Sequence, residues 1–223
     1  QEAAKLCYLG LYALQHRGEE SAGIVSASAS KFYVVKGMGQ VSQVFNEDNL
    51  HYLKGKMAIG HVRYSTTGSS NINNVQPLYS KTAKGKLAMA HNGNLTNAFK
   101  IFNKLKAEGS LFQSTVDSEI LLHMIAKSKK NELMQALQES LKEVEGAFSL
   151  VILGPDCLIG LRDTFGFRPL VIGKLGDSYI LTSETCALDL IGAKYVREVE
   201  PGEIVCIDKN GLKSYRIPKK TKI

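Results

Sequence analysis

Residues 114–153 read STVDSEILLHMIAKSKKNELMQALQESLKEVEGAFSLVIL. Two helical patterns follow one another here with no strand between them, and a strand pattern comes directly after. Ser114 and Asp117 have the S-x-x-D spacing of a helix start, ahead of Ile120, Leu121, Met124 and Ile125 at helical intervals. Leu133, Leu137, Leu141 and Val144 make a second stripe, mostly at i, i+4. Residues 147–153 are a short apolar run suited to a buried strand. Helices adjacent in sequence do not fit an alternating βαβ order. They fit an α+β chain in which helices cover antiparallel sheets.

The same pattern extends outward in both directions. Residues 2–16 have helical spacing, with Leu6, Leu9 and Ala13 on one face and Gly18 as a stop. Residues 22–35 predict a strand pair, and residues 56–66 and 86–92 predict a strand each. Ala98, Ile101, Phe102 and Leu105 predict a helix ended by Gly109. After residue 153 the pattern turns to short strands, at 157–163, 169–174, 178–183 and 203–208. The last is followed by the hairpin signal Asp208-Lys209-Asn210-Gly211 and residues 212–217. No internal repeat or low-complexity segment interrupts the chain, so one domain is the economical reading.

Bulk properties narrow the function classes. The chain has 223 residues and 44% apolar residues, enough for a sizeable core. No apolar stretch approaches the roughly 20 residues of a membrane helix, and residues 1–18 carry charge too early for a secretory signal. Cys7, Cys157, Cys186 and Cys206 are widely spaced, without a C-x-x-C pair, and read as reduced thiols of a cytosolic protein. The net charge of +7 comes from short lysine clusters without interleaved aromatics. That is a lysine-rich surface rather than a nucleic-acid footprint.

Three polar clusters sit where strands end or a helix begins. Arg63 follows the strand at 56–62 and precedes a Ser/Thr/Gly loop. It reads either as a surface ion pair or as a fork for a small carboxylate beneath a mobile loop. Asn92-Gly93 reads either as a turn or as two N–H donors converging on a developing oxyanion. Asp117 reads either as a helix-capping carboxylate or as the partner of a ligand ammonium. Together they outline a pocket for an amino acid whose side-chain carbonyl is under attack.

A set of ordered segments then carries a family resemblance. LYALQHRGEESAGI, GHVRYSTTGSS, NVQPL, AHNGNLTN, STVDSEILLHMIA, GAFSLVIL, LRDTFGFRPL, SETCALD and VEPGEIV span almost the whole chain. They resemble the glutaminase domain of the amidophosphoribosyltransferases, a class II glutamine amidotransferase. The resemblance implies a four-layer αββα sandwich of two antiparallel sheets flanked by helices, of the N-terminal-nucleophile hydrolase type. It implies hydrolysis of L-glutamine to glutamate and ammonia, for phosphoribosylamine formation in the first committed step of purine synthesis. By motif position it assigns Arg63 and Asp117 to the glutamine backbone groups and Asn92 and Gly93 to the oxyanion hole. It places Tyr64 and Thr66 in the loop that closes over glutamine.

The family's nucleophile is a cysteine at the mature N-terminus whose own amine acts as base. The chain opens at Gln1, so a strand with that cysteine is expected upstream, and a degenerate non-catalytic homologue is the alternative. Residues 1–217 are read as the amidotransferase domain, and residues 218–223 as the start of a linker to a phosphoribosyltransferase domain. The resemblance implies no cofactor or metal in this domain, and assigns Mg2+ or an iron–sulfur cluster only to that second domain. It also suggests a homo-oligomer, while the lysine clusters and the lack of a membrane-length apolar run predict no nucleic-acid and no membrane partner. Competing readings are the glutaminase of glucosamine-6-phosphate synthase or asparagine synthetase, or a glutamine-binding module without catalysis. The absence of tryptophan and the Tyr64–Thr67 segment favour the purine enzyme.

Overall fold

The computed structural model describes residues 2–29, 31–64 and 71–218. The first elements are α1 (Glu2–Ala13), β1 (Ser21–Ser28), β2 (Lys31–Met38), α2 (Val41–Val44), α3 (Glu47–Tyr52) and β3 (Met57–Arg63). They are followed by β4 (Leu78–Thr82), β5 (Gly85–Leu95), α4 (Ala98–Ala107), α5 (Glu119–Lys127), α6 (Leu133–Leu141), β6 (Gly146–Leu153) and β7 (Leu158–Arg162). The chain continues through β8 (Val171–Leu175), β9 (Ser178–Thr182), α7 (Cys186–Ile191), β10 (Lys194–Glu198), β11 (Glu203–Asp208) and β12 (Gly211–Arg216).

Every strand pairing is antiparallel, and the period-two alternation of side chains sorts the layers. One sheet has the order β12-β11-β7-β6-β5-β4. Leu87, Met89, Leu150, Ile152, Ile159 and Leu161 point from it to α4, α5 and α6, where they meet Ile101, Leu121 and Leu137. The opposite face carries Ala88 and Leu153, which pack against Val25 and Ala27 of β1 and Ile59 of β3. The facing layer is two three-stranded sheets, β2-β1-β3 and β10-β8-β9, rather than one continuous sheet. The second of these adds Leu170, Ile172 and Val199 against Val205 of β11. Helices α1 and α7 cover the outer side of that layer. The result is the helix–sheet–sheet–helix stack expected from the resemblance.

Several local expectations shift. The buried residues of α1 are Ala4 and Leu11, joined by Leu14 just after it, whereas Leu6, Leu9 and Ala13 keep partial exposure. Cys7 and Leu11 lie over β3 at Gly60, where an added Cβ would sit 2.7 Å from the Cys7 sulfur. Gly18 ends the helical segment with extended backbone, φ 179°, not a left-handed cap. A Cβ there would lie 2.4 Å from the Arg63 carbonyl carbon, so Gly18 is small because β3 passes against it. Strand β10 and helix α7 escape the sequence reading because one is largely exposed and the other has only six residues.

Candidate active site

The alternation that builds the sheets also aims the polar clusters. Ile59, His61 and Arg63 of β3 share the face that looks into the gap between sheets, as do Ala88, Ala90 and the paired position Asn92 of β5. The last residues of β3 and β5 therefore bring polar groups to one end of the apolar interface.

Asn92-Gly93 is not a turn. Strand β5 continues to Leu95, and Asn92 and Gly93 pair with Ser149 and Phe148 of β6. Gly93 has φ +142°, and a Cβ on it would fall 2.1 Å from the Ala147 carbonyl oxygen. Only glycine fits that approach. The Asn92 side-chain nitrogen is buried and finds no acceptor among the described residues. A buried donor without a partner costs about 1–3 kcal/mol, which an incoming acceptor can recover.

Asp117 does not cap a helix. Helix α5 begins after Ser118 without a side-chain cap. Glu119 instead reaches back to the N–H groups of Gln113 (2.9 Å) and Ser114 (2.8 Å). This frees Asp117 to bracket the β5 segment that holds Asn92 and Gly93. Its Oδ1 lies 3.0 Å from His91 Nδ1, and its Oδ2 accepts the Leu95 N–H at 2.8 Å. Burial pushes the Asp117 carboxyl up. The His91 ring and the N–H groups of Leu95 and Ser118 outweigh that, so the group stays below the usual carboxylate range. A quarter of its side chain remains exposed, leaving an anionic face open to a ligand.

Arg63 is buried, and its Nη1 donates to Glu20 Oε1 at 2.7 Å. The surface-pair alternative therefore fails, while an internal carboxylate already engages the guanidinium. The second Glu20 oxygen is buried with no donor among the described residues.

Histidines tie the clusters together. His61 Nε2 lies 3.0 Å from the His91 carbonyl oxygen, so its N–H donates there and joins β3 to β5. Burial, followed by the neighbouring His91, Arg63 and Arg17, lowers the His61 pKa to about 4 despite that hydrogen bond. His61 is neutral at physiological pH. The His91 N–H donates to Gln76 Oε1 at 2.8 Å. Tyr64 follows Arg63 with its ring exposed. Thr66 lies outside the described residues.

Glu20, His61, Gln76 and His91 escaped the sequence reading. His61 carried one usable signal, its i, i+2 spacing from Arg63 on a strand. Cys7 is remote from this cleft, on the α1 side of β3, and burial pushes its thiol up to about 12. Among the described residues no group of three His, Cys, Asp or Glu side chains is placed to hold a metal ion. None of their helices is long and apolar enough to cross a membrane.

Residues 61–190 match the family model described as a glutamine amidotransferase domain. Amidophosphoribosyltransferase 3, chloroplastic, from Arabidopsis thaliana is 50% identical over 94% of this chain and 40% of its own length. The Bacillus subtilis amidophosphoribosyltransferase is 46% identical over 97% of this chain and 46% of its own. A solved glutamine phosphoribosylpyrophosphate amidotransferase from B. subtilis, complexed with ADP and GMP, superposes with a TM-score of 0.92 at 44% identity. It covers 97% of this chain and 47% of that one. The chain thus spans less than half the length of these relatives.

Proposed function

The chain belongs to the glutamine amidotransferase domain family, and from that premise we propose that its cleft binds L-glutamine and supports hydrolysis to glutamate and ammonia. The observation that carries this reading is the buried, unpartnered Asn92 amide beside the Gly93 backbone. Arg63 holds the α-carboxylate of the substrate and Asp117 its α-ammonium. Those two contacts place the side-chain amide at the end of β5, where Asn92 Nδ2 and the Gly93 N–H face the amide oxygen. As a nucleophile adds to the amide carbon, that oxygen gains negative charge. Fixed donors stabilise it there without reorganisation. By motif position Tyr64 and Thr66 supply further contacts to the bound glutamine.

The attacking group is a cysteine thiol at a mature N-terminus, as the family resemblance implies; Cys7, on the α1 side of β3 with its thiol pushed up to about 12, does not stand in for it. The full-length protein passes the ammonia to a phosphoribosyltransferase portion to form phosphoribosylamine for purine synthesis. The names of the relatives support that acceptor over a sugar phosphate or aspartate. Any Mg2+ or iron–sulfur cluster belongs to that portion, and the full-length protein self-associates. Four free cysteines support a reducing compartment such as the cytosol.

Glutamate release by the full-length protein tests the reading. L-Glutamine is hydrolysed and D-glutamine is not, because the Arg63 and Asp117 contacts fix one handedness at the α-carbon. Release from neither, or equally from both, overturns it.

A further inference from the structure

Phe165 and Phe167 are 75% and 69% exposed, with ring centroids 5.8 Å apart. Single exposed apolar residues need no explanation, but two neighbouring rings, tilted at 42° to each other on one rigid loop, do. The loop is rigid because its backbone is tied from within. Asp163, almost wholly buried, accepts the N–H groups of Phe165 (2.8 Å), Gly166 (2.9 Å) and Phe148 (3.0 Å). Arg162 donates to the carbonyls of Gly166 (2.6 Å), Arg168 (2.7 Å) and Val199 (3.0 Å). Buried charge is thus spent on presenting two phenyl rings to the outside.

The chain's own exit passes this loop. The Asp163 carbonyl accepts the Gly202 N–H at 2.8 Å, and the Gly202 carbonyl accepts the Ile217 N–H at 2.9 Å. Strand β12 therefore leads the polypeptide away two hydrogen bonds from the base of the Phe165–Phe167 loop. The relatives are more than twice as long as the part of them that this chain matches, 40% and 46% of their length.

We propose that Phe165 and Phe167 form the seat on which the polypeptide beyond residue 223 docks in the full-length protein. This rests on reading the chain as one portion of a longer amidotransferase. The seat is also wired to the site. Phe148, which exchanges hydrogen bonds with Asp163, is the β6 partner of Gly93.

Photocrosslinking in the full-length protein tests this, with p-benzoylphenylalanine at position 165 and, as control, at position 99, where Phe99 is 76% exposed. Mixed heavy- and light-isotope copies distinguish links within a chain from links between chains. The expected result is at least tenfold more crosslinking at 165 than at 99, to peptides beyond residue 223 of the same chain. Crosslinks to residues 1–223 of another copy, a yield no higher than at 99, or a gene that ends at residue 223 overturns the proposal. The Phe165→Ser/Phe167→Ser variant is expected to keep glutamate release within twofold while transfer of ammonia to the acceptor falls at least fivefold. Unchanged transfer overturns the docking role while leaving the glutaminase reading intact. Absence of glutamate release from the unsubstituted protein overturns the glutaminase reading instead.

Discussion

The Arg63 guanidinium and the Glu20 carboxylate form an ion pair at 2.7 Å, both side chains about nine-tenths buried. A buried pair loses far more when one partner is removed than when both are neutralised. Arg63→Ala should therefore destabilise the protein by about 3–5 kcal/mol by stranding Glu20. Combining Arg63→Ala with Glu20→Gln should recover most of that loss but none of the glutamine binding. Chemical denaturation and glutamine titration, run on both variants, separate the two roles. A double variant that regains glutamine affinity would remove Arg63 from the substrate site.

Asn92→Ala in the full-length protein should lower kcat for glutamine hydrolysis by about 10²–10³-fold, the usual effect of losing one oxyanion donor. KM should move little, because the contact strengthens only as charge develops. Equal losses in substrate affinity and turnover would mark Asn92 as a ground-state contact.

Gly93→Ala should act on folding before chemistry. The new methyl would meet the Ala147 carbonyl oxygen at 2.1 Å on a backbone held at φ +142°. A loss of about 2–4 kcal/mol, read from denaturant midpoints, is expected for a clash combined with a strained φ. A midpoint within error of the parent would show that β5 and β6 can separate there at little cost.

His61 sets a pH window for stability. Its pKa in the folded protein is lowered from 6.5 to about 4. As pH falls through the ordinary imidazole range, the unfolded chain takes up a proton that the folded protein refuses. The contribution is complete above about pH 6.5 and is lost progressively down to about pH 4. Denaturation midpoints measured across that range should fall more steeply for the parent than for His61→Gln. Parallel slopes would show that His61 is protonated in the fold.

Much of the architecture was legible because core burial imposes its own period. The stripe Leu137, Leu141 and Val144 specified a helix and its inward face, and the apolar run at 147–153 specified a buried strand. The site was legible as residue types, not as geometry. Asn92-Gly93 looked like a turn because dipeptide chemistry is local, whereas the pairing with Ser149 and Phe148 comes from more than fifty residues away. Asp117 looked like a cap because Ser114 stood at the right spacing. Helix α5 has no side-chain cap, and Glu119 instead ties the N–H groups of Gln113 and Ser114, a contact that depends on how residues 113–119 fold back. Glu20 had no local signal for its pairing with Arg63, and the i, i+2 spacing of His61 from Arg63 gave its face but not the His91 carbonyl that it meets on β5.

The approach of β5 to β6 is reciprocal. Gly146 has φ +148° and faces the Asn94 carbonyl oxygen much as Gly93 faces that of Ala147. Handedness, and not size alone, is what these two positions select against. Every encoded residue but glycine is chiral in the wrong sense for this backbone, whereas a mirror-image residue would find it ordinary. Codon changes at either position therefore have no conservative option. The donors at the end of β5 are held by a crossing that sequence drift can abolish but cannot tune.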